Sequence, residues 1–198
     1  TAAETAFAAR LIEKDYFCSV LLEYLAARDG SLVFKGGTCL TKIYAGFYRL
    51  SEDLDFAIPT AVDASRAERS PRVAGVKKAV AALPAALPSF RVVEPVKGAD
   101  NSTQYIGVVA YASLLSRQEE TIKIEVSLRE PLLKPVEYGP AATLLLNPVS
   151  LGPMVAPIRP RSISQVEAFA EKFRAALTRP EVAIRDFFDI DYAIRKLG

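Results

Sequence analysis

Two acidic residues stand two positions apart in the stretch DLDFAI of residues 53–58. Acidic and apolar side chains alternate here, which is typical of a strand with one wet face. Because residues i and i+2 of a strand point to the same side, we expect the carboxylates of Asp53 and Asp55 to lie side by side. Like charges this close repel, and such pairs commonly hold a divalent cation, here Mg²⁺ or alternatively Mn²⁺. A solvated edge strand without a ligand is the structural alternative.

Two adjacent glycines precede this pair, between a β-prone run at residues 31–34 and a predicted helix. Thr38 is expected to cap that helix, which should continue to about Tyr48. Glycines allow a phosphate to approach the backbone, and a helix N-terminus offers free N–H donors. Gly36 and Gly37 therefore indicate a phosphate site, although a Gly-Gly pair also occurs as an ordinary turn.

A third carboxylate lies in the stretch TIKIEVSL of residues 121–128. Its apolar residues alternate with polar ones, which places Glu125 on the polar face of a predicted strand that could pair beside residues 53–58. Three carboxylates would form a ligand set for two Mg²⁺ ions, one activating a hydroxyl and one neutralising a triphosphate. The alternative is a surface residue whose salt-bridge partner is Lys123 or Lys134.

The composition excludes several other chemistries. The 198 residues contain no histidine, so a Ser-His-Asp triad, a Cys-His pair and an imidazole zinc site are impossible. Cys18 and Cys39 are the two cysteines, and their apolar neighbours indicate buried free thiols in a reducing compartment. With 51% hydrophobic and 24% charged residues the chain is globular, and a net charge of +2 neither predicts nor excludes a nucleic-acid partner.

Apolar runs long enough to span a membrane are missing from the sequence, and the N-terminus does not resemble a signal peptide. We therefore expect a cytoplasmic protein without a membrane partner. The periodicity predicts an α+β fold with helices at 4–28, 38–48, 63–83 (interrupted by Pro71 and Gly75), 164–177 and 181–196, and strands at 31–34, 53–58, 90–96, 104–112 and 121–128. Ser164 and Glu167 form a possible capping box, Pro180 is expected to end the helix that they start, and the proline-rich residues 131–161 form a connector.

The order of these pieces is that of the polymerase-β-like nucleotidyltransferases. More closely, KGGTCLTKIY at residues 35–44 and RLSEDLDF at residues 49–56 resemble the AbiEii/AbiGii toxin family, which includes the MenT-type toxins of toxin–antitoxin systems. EKDY at 13–16 resembles the N-terminal helix of that family. EKFRAAL at 171–177 resembles its motif with an essential lysine, and RDFFD at 185–189 resembles its RDxxD helix.

This resemblance implies roles for individual residues. The nucleotide phosphates would be bound by Lys35, Gly36, Gly37, Thr38, Ser51 and Lys172. Asp53 and Asp55 would bind metal, whereas the resemblance does not fix Glu125 as the third ligand. Asp186 would act in the active site with Lys172, and Asp189 would support it. Ser51 could equally be a strand-entry cap, and Lys172 a solvent-exposed helix lysine.

The resemblance also implies a fold and a function. We expect residues 1–130 to form a polymerase-β-like core and residues 131–198 a connector and helical part that completes the active site, or both to form one compact domain. The protein would transfer an NMP from an NTP to an acceptor hydroxyl, with tRNA 3′ ends as the implied acceptor, which would block translation and growth. A cognate antitoxin, commonly a transcriptional repressor, would be encoded nearby. A protein or small-molecule acceptor, a nucleotide-binding regulatory module without turnover, and a purely structural domain are the alternatives.

Several basic residues could bind the phosphates of an RNA acceptor. These are Arg159, Arg161, Arg174, Arg179 and Arg185, with Lys77 and Lys78 on another segment. Solvated helix faces are the alternative.

Overall fold

A mixed β-sheet forms the centre of the molecule. The computed structural model describes residues 7–179, 181 and 183–196, and five strands within them pair in the order β1-β2-β5-β4-β3. The strands are β1 (Val33–Lys35), β2 (Leu54–Ala57), β3 (Phe90–Ala99), β4 (Gln104–Ala112) and β5 (Glu119–Ser127). β2 and β5 are parallel, and the other three pairs are antiparallel. The structure confirms the predicted α+β class.

The helices of the described residues surround this sheet. They are α1 (Ala9–Arg28), α2 (Gly36–Cys39), which continues into a π-helical turn (Leu40–Tyr44), α3 (Arg66–Arg72), α4 (Ala74–Ala86), α5 (Gln165–Thr178) and α6 (Ile184–Lys196). Residues 4–6 of the predicted helix 4–28 lie outside the described part of the chain. Pro180, the predicted end of α5, also lies outside it; the helix ends at Thr178.

Two helix predictions need correction. The helix assigned to residues 38–48 begins at Gly36 with Lys35 as its N-cap, and it ends at Tyr44. Thr38 does not cap it, because its hydroxyl donates to the carbonyl oxygen of Asp53 at 2.5 Å. The stretch 63–83 is two helices with Val73 between them, so Pro71 and Gly75 both lie inside helices.

The apolar face of the sheet packs against α1 and α4. The four apolar residues that alternate along residues 121–128 are fully buried, as predicted. Phe17 of α1 stacks on Tyr111 of β4 with ring centroids 3.9 Å apart. The Tyr24 hydroxyl of α1 donates to the carbonyl oxygen of Ala79 in α4 at 2.8 Å, which fixes the two helices on one side of the sheet. The other face of β2 and β5 is left for polar side chains.

An extended connector joins β5 to α5. Ser164 caps α5 by accepting a hydrogen bond from the Glu167 amide at 3.3 Å, but the predicted capping box is only half formed. The Glu167 carboxylate instead accepts the backbone amides of Leu133 and Lys134 at 2.8 and 3.0 Å. Glu167 therefore ties the connector to α5, and this holds α5 beside the polar face of the sheet.

Both cysteines are buried and unpaired, as predicted from their apolar neighbours. Burial raises the pKa of the Cys18 thiol to about 12, so this thiol is a packing group and not a nucleophile. Among the described helices, none has the length and apolarity that crossing a bilayer requires.

Candidate active site

A row of three charged residues crosses the polar face of the sheet. Lys35 of β1 is in register with Asp55 of β2, and Asp55 is in register with Glu125 of β5. Residues in register on neighbouring strands point to the same side of a sheet. The predicted pairing of residues 121–128 beside residues 53–58 is therefore confirmed, and it places Glu125 next to Asp55. Asp53 lies just before β2, with its side chain 41% exposed.

The two glycines allow the backbone to approach this row closely. Gly36 has a φ of +74°, which favours glycine, and a Cβ atom there would lie 2.1 Å from Oδ2 of Asp55. At Gly37 a Cβ atom would lie 2.8 Å from Nη2 of Arg49 and 2.9 Å from Oγ of Ser51. The start of α2 is thus packed directly against an acidic side chain and against two donors from the segment before β2.

The acidic side chains carry an electrostatic cost. Burial, followed by the charge of Glu125, raises the pKa of Asp55 to about 6. Lys123 Nζ lies 3.3 Å from Oε2 of Glu125 and 3.9 Å from Oδ2 of Asp53, so a cation already stands between two of the carboxylates. The predicted salt bridge of Glu125 with Lys123 is therefore present together with the acidic cluster.

The donor atoms suit a hard divalent cation. Within the described residues no three acidic, histidine or cysteine side chains converge as a ready-made metal cluster. Asp53, Asp55 and Glu125 nevertheless supply oxygen ligands only, which is the set that Mg²⁺ and Mn²⁺ prefer. The excess negative charge on Asp55 is what a bound cation would relieve.

A buried charge network faces this row from the C-terminal helices. Lys172 Nζ lies 3.1 Å from Oδ1 of Asp186 and 3.0 Å from Oδ2 of Asp189, and both aspartates are fully buried. Asp189 also accepts two hydrogen bonds from the Arg49 guanidinium, at 2.5 and 2.8 Å, and one from the Tyr48 hydroxyl at 2.5 Å. Burial of Asp189 is outweighed by these bonds with Arg49 and Tyr48, so its pKa is lowered and it stays ionised.

These groups open into one cleft of about 480 Å³. Eight of the ten predicted site residues line it: Lys35, Gly36, Gly37, Ser51, Asp53, Asp55, Glu125 and Lys172. Thr38 does not line it, because its side chain is buried and bonded to the backbone of Asp53. Asp186 does not line it either, and contacts it through two lining cations, Lys172 at 3.1 Å and Arg179 at 2.8 Å.

Some of the arginines predicted to bind an acceptor lie at the cleft, and others lie away from it. Arg174, Arg179 and Arg185 line the cleft. Arg159 and Arg161 do not line it: their guanidinium groups donate to the carbonyl oxygens of Tyr138 and Gly30.

Three cations that line the cleft were not among the predicted site residues: Arg49, Lys123 and Arg129. Lys123 was predicted only as a salt-bridge partner of Glu125. Arg49 opens the RLSEDLDF motif, and Lys123 alternates with Glu125 on the polar face, so both had a sequence signal. Arg129 lies beyond the end of β5 and had none.

The sequence of this chain matches one protein family over most of its length. The family described as "Nucleotidyl transferase AbiEii toxin, Type IV TA system" matches residues 20–198. The chain is a member of the AbiEii family. The resemblance drawn from the motifs is thereby confirmed, and the chain belongs to a family of nucleotidyltransferase toxins of type IV toxin–antitoxin systems.

Solved structures support the fold of this AbiEii member. A crystal structure of a candidate nucleotidyltransferase from H. pylori is 18% identical, with a TM-score of 0.61, covering 96% of this chain and 70% of that one. JHP933 from Helicobacter pylori is 19% identical, with a TM-score of 0.61, covering 96% and 68%. At these identities the likeness shows the fold, which agrees with the predicted nucleotidyltransferase core. A search of curated proteins found no match.

Proposed function

We propose that this AbiEii protein is a metal-dependent enzyme that transfers an NMP from an NTP to a hydroxyl at the 3′ end of tRNA. One observation carries the proposal: two carboxylates in register, Asp55 and Glu125, share a cleft with paired glycines and with Lys172. Carboxylates can hold metal, glycines admit phosphates, and a lysine neutralises phosphate charge.

The proposed reaction divides the work among the residues of the cleft. Asp53, Asp55 and Glu125 would hold Mg²⁺, or Mn²⁺, which lowers the pKa of a bound hydroxyl and neutralises triphosphate charge. The acceptor hydroxyl gives up its proton to solvent and its oxygen forms a bond to the α-phosphorus. The bond between the α-phosphorus and the oxygen that bridges it to the β-phosphate breaks, and pyrophosphate leaves. Gly36 and Gly37 leave room for the triphosphate at the start of α2.

Cations of the chain would stabilise the leaving pyrophosphate. Lys172 is oriented by Asp186 and Asp189, and Lys35 is held by Glu171 at 2.5 Å. Ser51 and Arg49 lie against Gly37 and would contact phosphate oxygens from the other side. Negative charge that develops on the leaving group would thus meet fixed positive charge, which is the arrangement that phosphoryl transfer requires.

The proposed acceptor follows from the edge of the cleft. Its lining arginines are Arg129, Arg174, Arg179 and Arg185, of which the first three form ion pairs with Asp100, Glu130 and Asp186. The phosphates of an RNA would compete with the exposed carboxylates of Asp100 and Glu130 for these guanidinium groups, and Arg185 has no carboxylate partner among the described residues. Adding nucleotides to the tRNA 3′ end would prevent aminoacylation and arrest growth, which fits a toxin of the cytoplasm. An antitoxin is the partner expected from the family.

The decisive experiment incubates the protein with total tRNA, Mg²⁺ and each α-³²P-labelled NTP in turn, followed by a denaturing gel. We expect one or more nucleotides to label tRNA, and Asp53→Ala to reduce the label by at least 100-fold because a metal ligand is lost. Glu52→Gln is the matched control, since Glu52 pairs with Lys14 at 2.8 Å and does not line the cleft. It should keep most of the activity.

Other outcomes would redirect the assignment. Equal labelling by wild type and Asp53→Ala would contradict catalysis at the carboxylates. Pyrophosphate release without label in RNA would indicate a protein or small-molecule acceptor. Metal-dependent NTP binding without pyrophosphate release would indicate a regulatory module.

A further inference from the structure

A second cavity, of about 240 Å³, lies between α3, α4 and the turn that joins β3 to β4. Arg66 of α3 and Lys77 of α4 contribute cations to it, and Ser70, Ser102 and Tyr105 contribute hydroxyls. The cavity therefore presents two cations and three hydroxyls, together with one carboxylate, that of Asp100. Its residues play no part in the proposed transfer site.

The two cations of this cavity are not neutralised by the protein. Among the described residues, neither Arg66 nor Lys77 has a carboxylate partner, and Lys77 Nζ lies 4.9 Å from the centre of the Tyr105 ring. The positive charge of Arg66 and Lys77 also affects the pKa of Tyr105. Burial would raise it, but hydrogen bonds from Ser102 and Ser70 and the charges of Lys77 and Arg66 outweigh burial, so the pKa is lowered. A negative charge is thus favoured at this place.

The turn that closes the cavity has an unusual backbone. Asp100, Asn101 and Ser102 have φ values of 46°, 53° and 63°, in the left-handed region that non-glycine residues rarely adopt. The Ser102 side chain is buried within this turn. Strained conformations of this kind are held only where the surroundings fix them, and they cluster at ligand sites.

One ion pair connects this cavity with the catalytic cleft. Asp100, which lines the second cavity, lies 3.5 Å from the guanidinium of Arg129, which lines the cleft. Arg129 also donates to Oε1 of Gln104 at 2.9 Å, at the start of β4. A chain with regularly spaced phosphates could therefore leave the cleft past Arg129 and reach Lys77 and Arg66. The Asp100 carboxylate is neutralised by Arg129 on this path.

We propose that the second cavity, here named the phosphate pocket, binds a backbone phosphate of the RNA acceptor while the RNA 3′ end lies in the cleft. This inference rests on the proposed function, because it assumes a polynucleotide acceptor. Lys77 and Arg66 supply charge, and the hydroxyls of Ser70 and Tyr105 supply directed hydrogen bonds. Such contacts position a nucleic acid without reading its sequence.

The test measures RNA binding without catalysis. Fluorescein-labelled total tRNA is titrated with Asp53→Ala protein, without NTP, over a range of NaCl concentrations. In this background Lys77→Gln is compared with Lys97→Gln, which changes an exposed lysine of β3 that lines neither the pocket nor the cleft. We expect Lys77→Gln to weaken binding several-fold and to lower the slope of log K against log[NaCl] by about 0.7–0.9, the value of one phosphate contact. Lys97→Gln should keep the slope of the Asp53→Ala protein.

Each other outcome has a separate meaning. Equal slopes for the two variants would overturn the pocket even if tRNA is labelled in the transfer assay. Binding of inorganic phosphate or NTP that depends on Lys77, without any effect of Lys77 on RNA binding, would overturn the RNA assignment in favour of a free phosphate ligand. Lys77-dependent RNA binding by a protein that labels no RNA would support the pocket and contradict the transfer reaction alone.

Discussion

The ionised Asp55 carboxylate lowers the stability of the metal-free protein, although the proposed reaction requires it. It is packed against Gly36 and lies in register with Glu125, and its pKa is raised to about 6 by burial and by that neighbour. An aspartate of the unfolded chain has a pKa near 3.9, so the folded state holds this proton more tightly. The free energy of unfolding therefore falls as the pH rises from about 4 through about 6. At neutral pH the ionised carboxylate destabilises the metal-free protein.

Asp55→Asn should consequently stabilise the metal-free protein while abolishing transfer. We expect its free energy of unfolding at pH 7.5 in EDTA to exceed that of wild type by on the order of 1–2 kcal/mol, because a buried charge is removed. Urea unfolding at pH 4 and pH 7.5 measures the difference, which should shrink at pH 4. Mg²⁺ should stabilise wild type and not the variant.

The control for this comparison is Asp63→Asn, which changes an exposed aspartate and should have no such effect. A variant at Asp55 that is less stable than wild type at pH 7.5 would show that the ionised carboxylate contributes favourable contacts instead of a cost.

At the scale of elements, α6 positions the segment that carries Arg49 and Ser51. The Tyr192 ring stacks on Tyr48 with centroids 4.0 Å apart, and its hydroxyl donates to the carbonyl oxygen of Ala45 at 3.2 Å. Asp189, one turn earlier on α6, binds the Arg49 guanidinium through both carboxylate oxygens. Arg49 is thereby held against Gly37. The C-terminal helix thus shapes the phosphate end of the cleft from a distance of 140 residues in the sequence.

Asp189→Asn should loosen this segment. Loss of charged hydrogen bonds to Arg49 and Tyr48 is expected to cost about 1.5–3 kcal/mol, and the amides of residues 45–53 should exchange hydrogen at least about tenfold faster. Hydrogen-exchange mass spectrometry measures this directly. Asp191→Asn is the control on the same helix, since Asp191 is exposed and, among the residues that the structure describes, forms an ion pair only with Arg195. Unchanged exchange in the Asp189 variant would mean that ring stacking alone holds the segment.

Helices and strands with a regular hydrophobic pattern could be predicted from the sequence. Contacts between residues far apart in the sequence could not. The alternation in residues 121–128 and 53–58 predicted β5, β2 and the proximity of Glu125 to Asp55. The predicted helix start at Thr38 was wrong: Thr38 looks like a cap in the sequence, whereas its hydroxyl donates to the carbonyl oxygen of Asp53 and the helix begins at Gly36. The bond between Arg49 and Asp189 depends on packing that no local pattern describes. A division of the chain near residue 130 stays a prediction.

At the scale of the whole molecule, a buried ion pair joins three distant parts of the chain. Lys42 Nζ, on the π-helical turn, lies 2.5 Å from Oδ1 of Asp15 in α1 and 3.3 Å from the carbonyl oxygen of Ala142 in the connector. The other Asp15 oxygen accepts hydrogen bonds from the Thr143 hydroxyl and the Leu144 amide, both at 3.0 Å. The EKDY and KGGTCLTKIY motifs are therefore in contact in the folded protein. Within them, Lys42 and Asp15 stabilise the fold.

We expect the two lysines of KGGTCLTKIY to have different roles: Lys42 stabilises the fold, and Lys35 contributes to nucleotide binding. Lys42→Met leaves the Asp15 carboxylate buried without its cation, which is expected to cost about 3–5 kcal/mol. Lys35→Met breaks a partly exposed pair with Glu171 and should cost only about 1 kcal/mol, but it removes a cation from the cleft. Urea unfolding and NTP titration of both variants measure the two effects. We expect a lowered urea midpoint with near-normal NTP affinity in the folded fraction for Lys42→Met, and the reverse for Lys35→Met. If Lys42→Met instead unfolded like wild type and bound NTP poorly, Lys42 would act in the cleft and the ion pair with Asp15 would not hold the three segments together.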